Sequence, residues 1–300
     1  MATVSARSAW WLAIRPATLT ASAAPVFVGT GAAWADGVFA PGPALAALVG
    51  ASLLQVGANF ANDVFDFERG ADNEDRLGPE RATQQGWISA PQMKRAMWLA
   101  FLGALVTGIY LTAVAGWPVM ALGLLSIAAA YLYTGGPKPY GYLGLGDLSV
   151  FVFFGFGAVA GTYFVQAQDV SRLVLWAAVP IGALATAILV VNNLRDIETD
   201  ARAGKRTLAV RLGERGTVAG HAALLAGAYL VPPLLLVAGM RGPLILLPLL
   251  SAPLAVPLVR TLATRRKDGP AMNAALAGTA RLALVFCLLF AAGLARIGYD

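Results

Sequence analysis

Two short runs of oxygen-bearing side chains stand out in this sequence as able to do chemistry. The first reads Asn59-Phe60-Ala61-Asn62-Asp63-Val64-Phe65-Asp66-Phe67-Glu68-Arg69-Gly70-Ala71-Asp72, with Asn59, Asn62, Asp63 and Asp66 at i, i+3, i+4 and i+7. On a helix that spacing puts all four on one face. The second reads Asn192-Asn193-Leu194-Arg195-Asp196-Ile197-Glu198-Thr199-Asp200, where Asn192, Asp196 and Asp200 step by four. Like charges at that spacing repel, so each stripe needs a cation to be stable. Oxygen-only donors with few charges per cluster suit Mg2+, which keeps waters and takes phosphate oxygens from a substrate.

Basic residues follow both stripes. Arg69, Arg76 and Arg81 come after the first, and Gly204-Lys205-Arg206-Thr207-Leu208 after the second. A third group, Tyr131-Leu132-Tyr133-Thr134-Gly135-Gly136-Pro137-Lys138-Pro139-Tyr140, closes an apolar run. Acids for a metal beside bases for oxyanions are what a diphosphate requires, since Lys and Arg hold the oxygens the metal leaves. Lys205 and Arg206 read as diphosphate ligands. Arg211, Arg215, Arg265, Arg266 and Lys267 read as ordinary membrane-flanking charge.

The elements that must position these groups are membrane helices. The set AVILMFWYC makes up 58% of the 300 residues and DEKR only 13%, with mean hydropathy +0.68. A soluble domain is about one-quarter charged, so this chain cannot cover its own surface with polar groups. Continuous apolar runs of about 20 residues exclude an outer-membrane barrel and indicate helices. Nine spans are expected, near 17–35, 42–62, 96–114, 118–134, 146–166, 173–194, 217–239, 243–260 and 279–298. They form a single integral-membrane unit over 1–300. The start of the chain has no short apolar core with a small-residue cleavage site, so no removable signal peptide is expected.

With nine spans, every Lys and Arg except Arg172, Arg241 and Arg296 falls on the side of the N-terminus. The positive-inside rule makes that side cytoplasmic. The net charge of +6 thus reflects topology rather than nucleic-acid binding. Both acidic stripes open on the same face, at the ends of spans two and six, which suggests a weak internal repeat of a four-helix unit. Solvated loop acids are the plain alternative, but matched stripes that begin inside apolar helices are costly unless they are functional. A polyprenyl diphosphate fits both requirements, with its head in the polar rim and its tail among the helices. Cys287, the only cysteine, and His221 read as core residues.

These segments resemble the UbiA superfamily of intramembrane prenyltransferases from about Arg15 onward. The resemblance rests on Arg15-Pro16-Ala17-Thr18-Leu19, Asn62-Asp63-Val64-Phe65-Asp66 with Gly70 and Asp72, and Tyr133-Thr134-Gly135-Gly136-Pro137. It extends through Gly144-Leu145-Gly146-Asp147, Gly161-Thr162-Tyr163, and Asn192-Asn193-Leu194-Arg195-Asp196 with Asp200 and Gly204-Lys205-Arg206-Thr207-Leu208. The Thr-Gly-Gly-Pro, Gly-Thr-Tyr and Gly-Lys-Arg-Thr-Leu stretches favour the naphthoate branch over the 4-hydroxybenzoate branch.

The resemblance implies an all-α fold of nine transmembrane helices around a central cavity with a cytoplasmic cap. The activity implied is that of a Mg2+-dependent enzyme of a bacterial inner membrane that joins a polyprenyl diphosphate to dihydroxynaphthoate with loss of the carboxylate. It carries metal binding onto Asn62, Asp66, Asp196 and Asp200, with Asp63 and Asp72 beside them. Asp66, Asp196, Asp200 and Lys205 become the catalytic set, and Asn62, Arg69, Lys138, Lys205 and Arg206 the diphosphate set. Relatives place a further Asp where this chain has Gly70, which leaves the part of Asp72 open. The competing class is a secondary transporter, since intramembrane carboxylates also mark ion pathways. Clustering of the charge at one face rather than at the midplane argues against it.

Overall fold

A computed structural model describes residues 5–71, 78–240 and 242–295, and among them every regular element is helical. A short helix, α1 (Ala6–Ile14), precedes the first long one, α2 (Pro16–Ala35). The chain continues through α3 (Pro41–Glu68), α4 (Ala90–Ala115) and α5 (Trp117–Leu132). The next span is built from α6 (Gly146–Val150), a π-helical stretch Phe151–Ala160, and α7 (Gly161–Ala167). Then come α8 (Arg172–Arg195), the short α9 (Ile197–Arg202) and α10 (Leu208–Val237). A 3-10 segment Pro243–Ser251 runs into α11 (Ala252–Thr264), and α12 (Gly269–Ala295) ends the described chain.

Among the described residues, eight helical stretches are long and apolar enough to cross a membrane. The ninth expected span, the fourth in order, is α5, and its 16 residues reach only about 24 Å at 1.5 Å per residue, short of a ~30 Å hydrocarbon core. Its limits are set by Gly116 at φ 89° before it and the Gly135-Gly136 turn after it. By contrast α3, with 28 residues, extends about 42 Å and overshoots that core. Its last turns, which carry Asn62, Asp63 and Asp66, stay helical until Gly70 turns the chain at φ 66°.

Two packed groups of side chains form the interior. One joins α2, α8, α10 and α12 through Val28, Ile181, Leu184, Leu225, Phe286 and Phe290. The other joins α1, α3 and α4 through Ala9, Phe60, Val64, Met93, Met97 and Phe101. The first stripe belongs to the second group and the Asn192–Asp200 stripe to the first. The acidic motifs therefore meet where the two packed halves face each other.

The close contact of α2 with α12 depends on a missing side chain. A Cβ on Gly31 would lie 2.7 Å from the Ala291 carbonyl oxygen and 3.0 Å from its Cα, both backbone atoms that cannot turn aside. Gly108, on α4, has open space around the same position. Gly31→Ala should therefore lose about 1–3 kcal/mol through overpacking. Gly108→Ala should be neutral or gain about 0.5–1 kcal/mol from helix propensity. Thermal unfolding in detergent compares the two, and equal melting temperatures would contradict the packing assignment.

The loop before α4 is pinned to α3 by Asp63. Its Oδ2 and Oδ1 accept from the backbone N–H groups of Ala82 (3.2 Å) and Thr83 (3.0 Å), and all these groups are buried. Ser89 then starts α4 with a reciprocal cap, its amide donating to Gln92 Oε1. Asp63→Ala strands two buried amides and should cost about 1–3 kcal/mol. A lower melting temperature with faster amide exchange at Ala82 and Thr83 is expected, and unchanged exchange there would refute the pinning role.

Candidate active site

The end of α3 and the start of α9 are joined by one ammonium. Lys205 Nζ lies 3.2 Å from Asp66 Oδ1 and 3.7 Å from Asp200 Oδ1. Gly204 makes this possible by adopting φ +75°, a left-handed conformation that penalises any residue with a Cβ. The turn lets the Lys205 N–H donate to the Asp200 carbonyl (2.9 Å), which aims the side chain back at the acids. The two stripes face each other.

Asp66 is held from several directions. The Tyr142 hydroxyl donates to its Oδ1 at 2.6 Å, and Arg81 Nη2 lies 4.0 Å from Oδ2. Tyr142 comes from the 3-10 turn Tyr140–Leu143, whose position is fixed by one clip to the segment before α10 and one to the first turn of α10. Arg206 N–H donates to the Tyr142 carbonyl at 2.8 Å, and Arg211 Nη2 donates to the Leu143 carbonyl at 2.7 Å. Tyr140 braces the same turn by donating to Ala129 O (2.9 Å) and pairing with Ser149. Burial pushes its hydroxyl pKa up, partly offset by the Ser149 hydrogen bond, so it stays a neutral phenol near pH 7. Above the Tyr142 ring sit two cations, Lys205 Nζ at 4.7 Å and Arg69 Cζ at 5.7 Å from its centroid. Both are in cation–π range.

The second stripe is interrupted where it matters. α8 stops at Arg195, Asp196 takes φ −96° and ψ 10°, and α9 begins at Ile197. The Asp200 N–H still donates to the Asp196 carbonyl at 2.8 Å, so the step of four survives the break. Arg195 is 4% exposed and grips Asp196 with a two-pronged contact, Nε to Oδ1 at 2.7 Å and Nη2 to Oδ2 at 2.6 Å. The same guanidinium donates to Asn192 Oδ1 (2.9 Å) and to Asn273 Oδ1 (2.8 Å) on α12. A buried fork of this kind is the strong form of ion pair.

The expected site residues divide accordingly. Asp66, Asp200 and Lys205 are brought together, Asn62 Oδ1 accepts from Thr134 Oγ1 at 3.0 Å one turn before Asp66, and Asp196 lies in the Arg195 fork one turn before Asp200. Asp63 lies about 100° around the helix from Asn62, and both its oxygens are taken by the loop amides. Asn59 likewise leaves the site, its amide donating to Ile14 O and Thr18 Oγ1 at 2.8 Å each. Arg69 faces the rim but spends its guanidinium on the carbonyls of Thr134 (3.2 Å) and Gly136. Lys138 and the Arg206 side chain are exposed and make no ion pair with a described residue. Asp72 and Arg76 lie outside the described residues. Tyr142, Arg195 and Asn273 join the site without having been expected. For Arg195 a signal existed, since a cation set between Asn192 and Asp196 at the end of an apolar helix must be paired.

Among the described residues, no three His, Cys, Asp or Glu side chains come together as a ready-made metal cage. The donor chemistry nonetheless fits Mg2+. Asn62, Asp66, Asp196 and Asp200 offer oxygen only, from two facing elements. Mg2+ is usually held by one or two carboxylates completed by water and substrate phosphate rather than by an all-protein cage.

Known proteins share this sequence and this fold. A model of the UbiA prenyltransferase family matches residues 22–286. The chain is 42% identical over 297 residues to the 1,4-dihydroxy-2-naphthoate octaprenyltransferase of Escherichia coli K12, covering 97% of this chain and 96% of that protein. With the protein of the same name from Mycobacterium tuberculosis it shares 45% identity over 249 residues, covering 82% and 83%. Among solved structures, the apo UbiA homolog from Aeropyrum pernix K1 superposes with a TM-score of 0.70 at 17% identity, covering 91% of this chain and 96% of that one. A UbiA homolog from Archaeoglobus fulgidus bound to GPP and Mg2+ gives 0.66 at 16% identity, covering 96% and 99%. Helix architecture, facing acidic motifs and these matches lead to one conclusion: the chain belongs to the UbiA prenyltransferase family.

Proposed function

We propose that this protein transfers a polyprenyl group from polyprenyl diphosphate to 1,4-dihydroxy-2-naphthoate, releasing diphosphate and carbon dioxide and giving demethylmenaquinone in its reduced, quinol form. The observation that carries the reading is Lys205 Nζ set between Asp66 and Asp200, which makes one polar site from two distant motifs. The acceptor assignment is supported by the relatives, whose names specify dihydroxynaphthoate and an octaprenyl donor.

Asn62, Asp66 and Asp200, with Asp196 beside them, would hold Mg2+. When bound, the ion supplies positive charge that stabilises the departing diphosphate. Lys205 meets the diphosphate oxygens as a point charge, and Arg206 and Lys138 line the outer approach. Arg69 shapes the rim by holding the 134–136 carbonyls. Arg195 orients Asp196 through its two-pronged contact. Tyr142 orients Asp66 through its hydroxyl. The C–O bond to diphosphate breaks, diphosphate leaves with the electron pair, the electron-rich ring takes the allylic carbon, and the ring regains aromaticity as its carboxylate departs as carbon dioxide, leaving that bonding pair behind. The apolar helices around the rim exclude water that would otherwise capture that cation. The concentration of Lys and Arg on the site's face supports its being the cytoplasmic one.

Purified protein in detergent should join a polyprenyl diphosphate to dihydroxynaphthoate only when Mg2+ is present. It should prefer this acceptor to 4-hydroxybenzoate and homogentisate. Asp66→Ala or Asp196→Ala should lower turnover at least about a hundredfold, the scale of losing one preorganised electrostatic group. Full activity in excess chelator or in Asp66→Ala would overturn the metal assignment, and preference for another acceptor would overturn the substrate assignment.

A further inference from the structure

Every described carboxylate of the two motifs that faces the site already has a cation of the protein's own against it. Asp196 lies in the Arg195 fork. Asp66 and Asp200 share Lys205, which is largely buried, its side chain 13% exposed. Arg81 Nη2 stands further off, 4.0 Å from the other oxygen of Asp66, and the Arg195 guanidinium is fixed at four points, by Asn192, Asn273 and both oxygens of Asp196. Lys205 ends in a flexible chain, and its ammonium also lies 4.7 Å from the face of Tyr142. That ring offers it a second seat when it leaves the carboxylates.

Resting on the functional reading above, we infer that Lys205 is an internal stand-in for the divalent cation and couples metal binding to diphosphate binding. A metal ion arriving alone has to take Asp66 and Asp200 from the ammonium, and then leaves two cations beside one another in a site of low dielectric. Diphosphate removes that conflict, because its oxygens neutralise the metal and accept hydrogen bonds from Lys205 at once. Free metal therefore binds weakly and metal with diphosphate binds strongly. The two acidic motifs stay together in the unliganded protein without a metal between them. When diphosphate departs, the ammonium returns to the acids and helps expel the metal. Lys205 is thus a positioning residue for the metal as well as a diphosphate ligand.

The test is Mn2+ binding to the full-length protein in detergent, followed by electron paramagnetic resonance, with and without inorganic pyrophosphate. In the wild type, pyrophosphate should tighten Mn2+ binding by at least about tenfold, a coupling within the usual range between linked ligands. Lys205→Gln should bind Mn2+ alone more tightly than the wild type and lose most of the pyrophosphate effect, whereas Lys205→Arg should behave like the wild type. Lysine acylation read by mass spectrometry gives a second measurement on the unaltered chain. Lys205 should label slowly in the apo protein, faster with Mn2+ alone, and slowly again with Mn2+ and pyrophosphate.

Equal or weaker Mn2+ binding in Lys205→Gln, or Lys205 labelling that ignores Mn2+, would overturn the stand-in role. Asp66→Asn separates that failure from failure of the site itself. Loss of Mn2+ binding in Asp66→Asn upholds the site, and Mn2+ binding that survives in it refutes both readings.

Discussion

Carboxylates brought out of water and close together must be neutralised, and the site is arranged around that requirement. Asp63, Asp66 and Asp196 are all under 10% exposed, at depths where an unpaired charge is very costly. Each is satisfied differently: Asp63 by two loop amides, Asp66 by Lys205, a tyrosine hydroxyl and the more distant Arg81, Asp196 by an arginine fork. The three solutions divide the labour. Amides pin a loop, a rigid fork holds a motif still, and a flexible ammonium leaves one carboxylate available for exchange.

This arrangement also explains why the site lies where it does. The two halves of the interior pack independently, one around α3 and α4, the other around α8, α10 and α12. Nothing apolar needs to fill the seam between their ends, so polar chemistry occupies it. The Tyr140–Leu143 turn and the stretch from Gly204 into the first turn of α10 are clipped to each other by Arg206 and Arg211. Charges that flank membrane helices for topological reasons can thus also brace a site, as Arg211 does.

Much of this was legible in the sequence. Composition and run length settle an all-helical membrane protein, and the spacing of Asn62 with Asp66, and of Asn192 with Asp196 and Asp200, points to the two motifs. Spacing alone overreached at Asn59 and Asp63. An i, i+3, i+4, i+7 stripe still spreads over tens of degrees, and neighbouring loops claim its edges. Tyr142 was out of reach, because it meets Asp66 across 76 positions of sequence and no local pattern announces it. Asn273 was equally silent, lying on the last helix. Lys138 and Arg206 carry the right charge, but their exposed side chains take no part in the ion pairs among the described residues. The short α5 was obscured because apolar residues run on into the turn that ends it.

The account turns on Asp66 and Asp200 sharing one cation, supplied by Lys205 at rest and by a divalent metal when diphosphate is present. Anomalous scattering from crystals grown with Mn2+ and a non-hydrolysable prenyl thiodiphosphate measures this directly. One peak is expected within about 2.2 Å of oxygens from both Asp66 and Asp200, the coordination distance of an ion of this size, with the Lys205 ammonium moved onto the thiodiphosphate. An ordered thiodiphosphate whose metal contacts neither residue, while Lys205 remains between them, would contradict it.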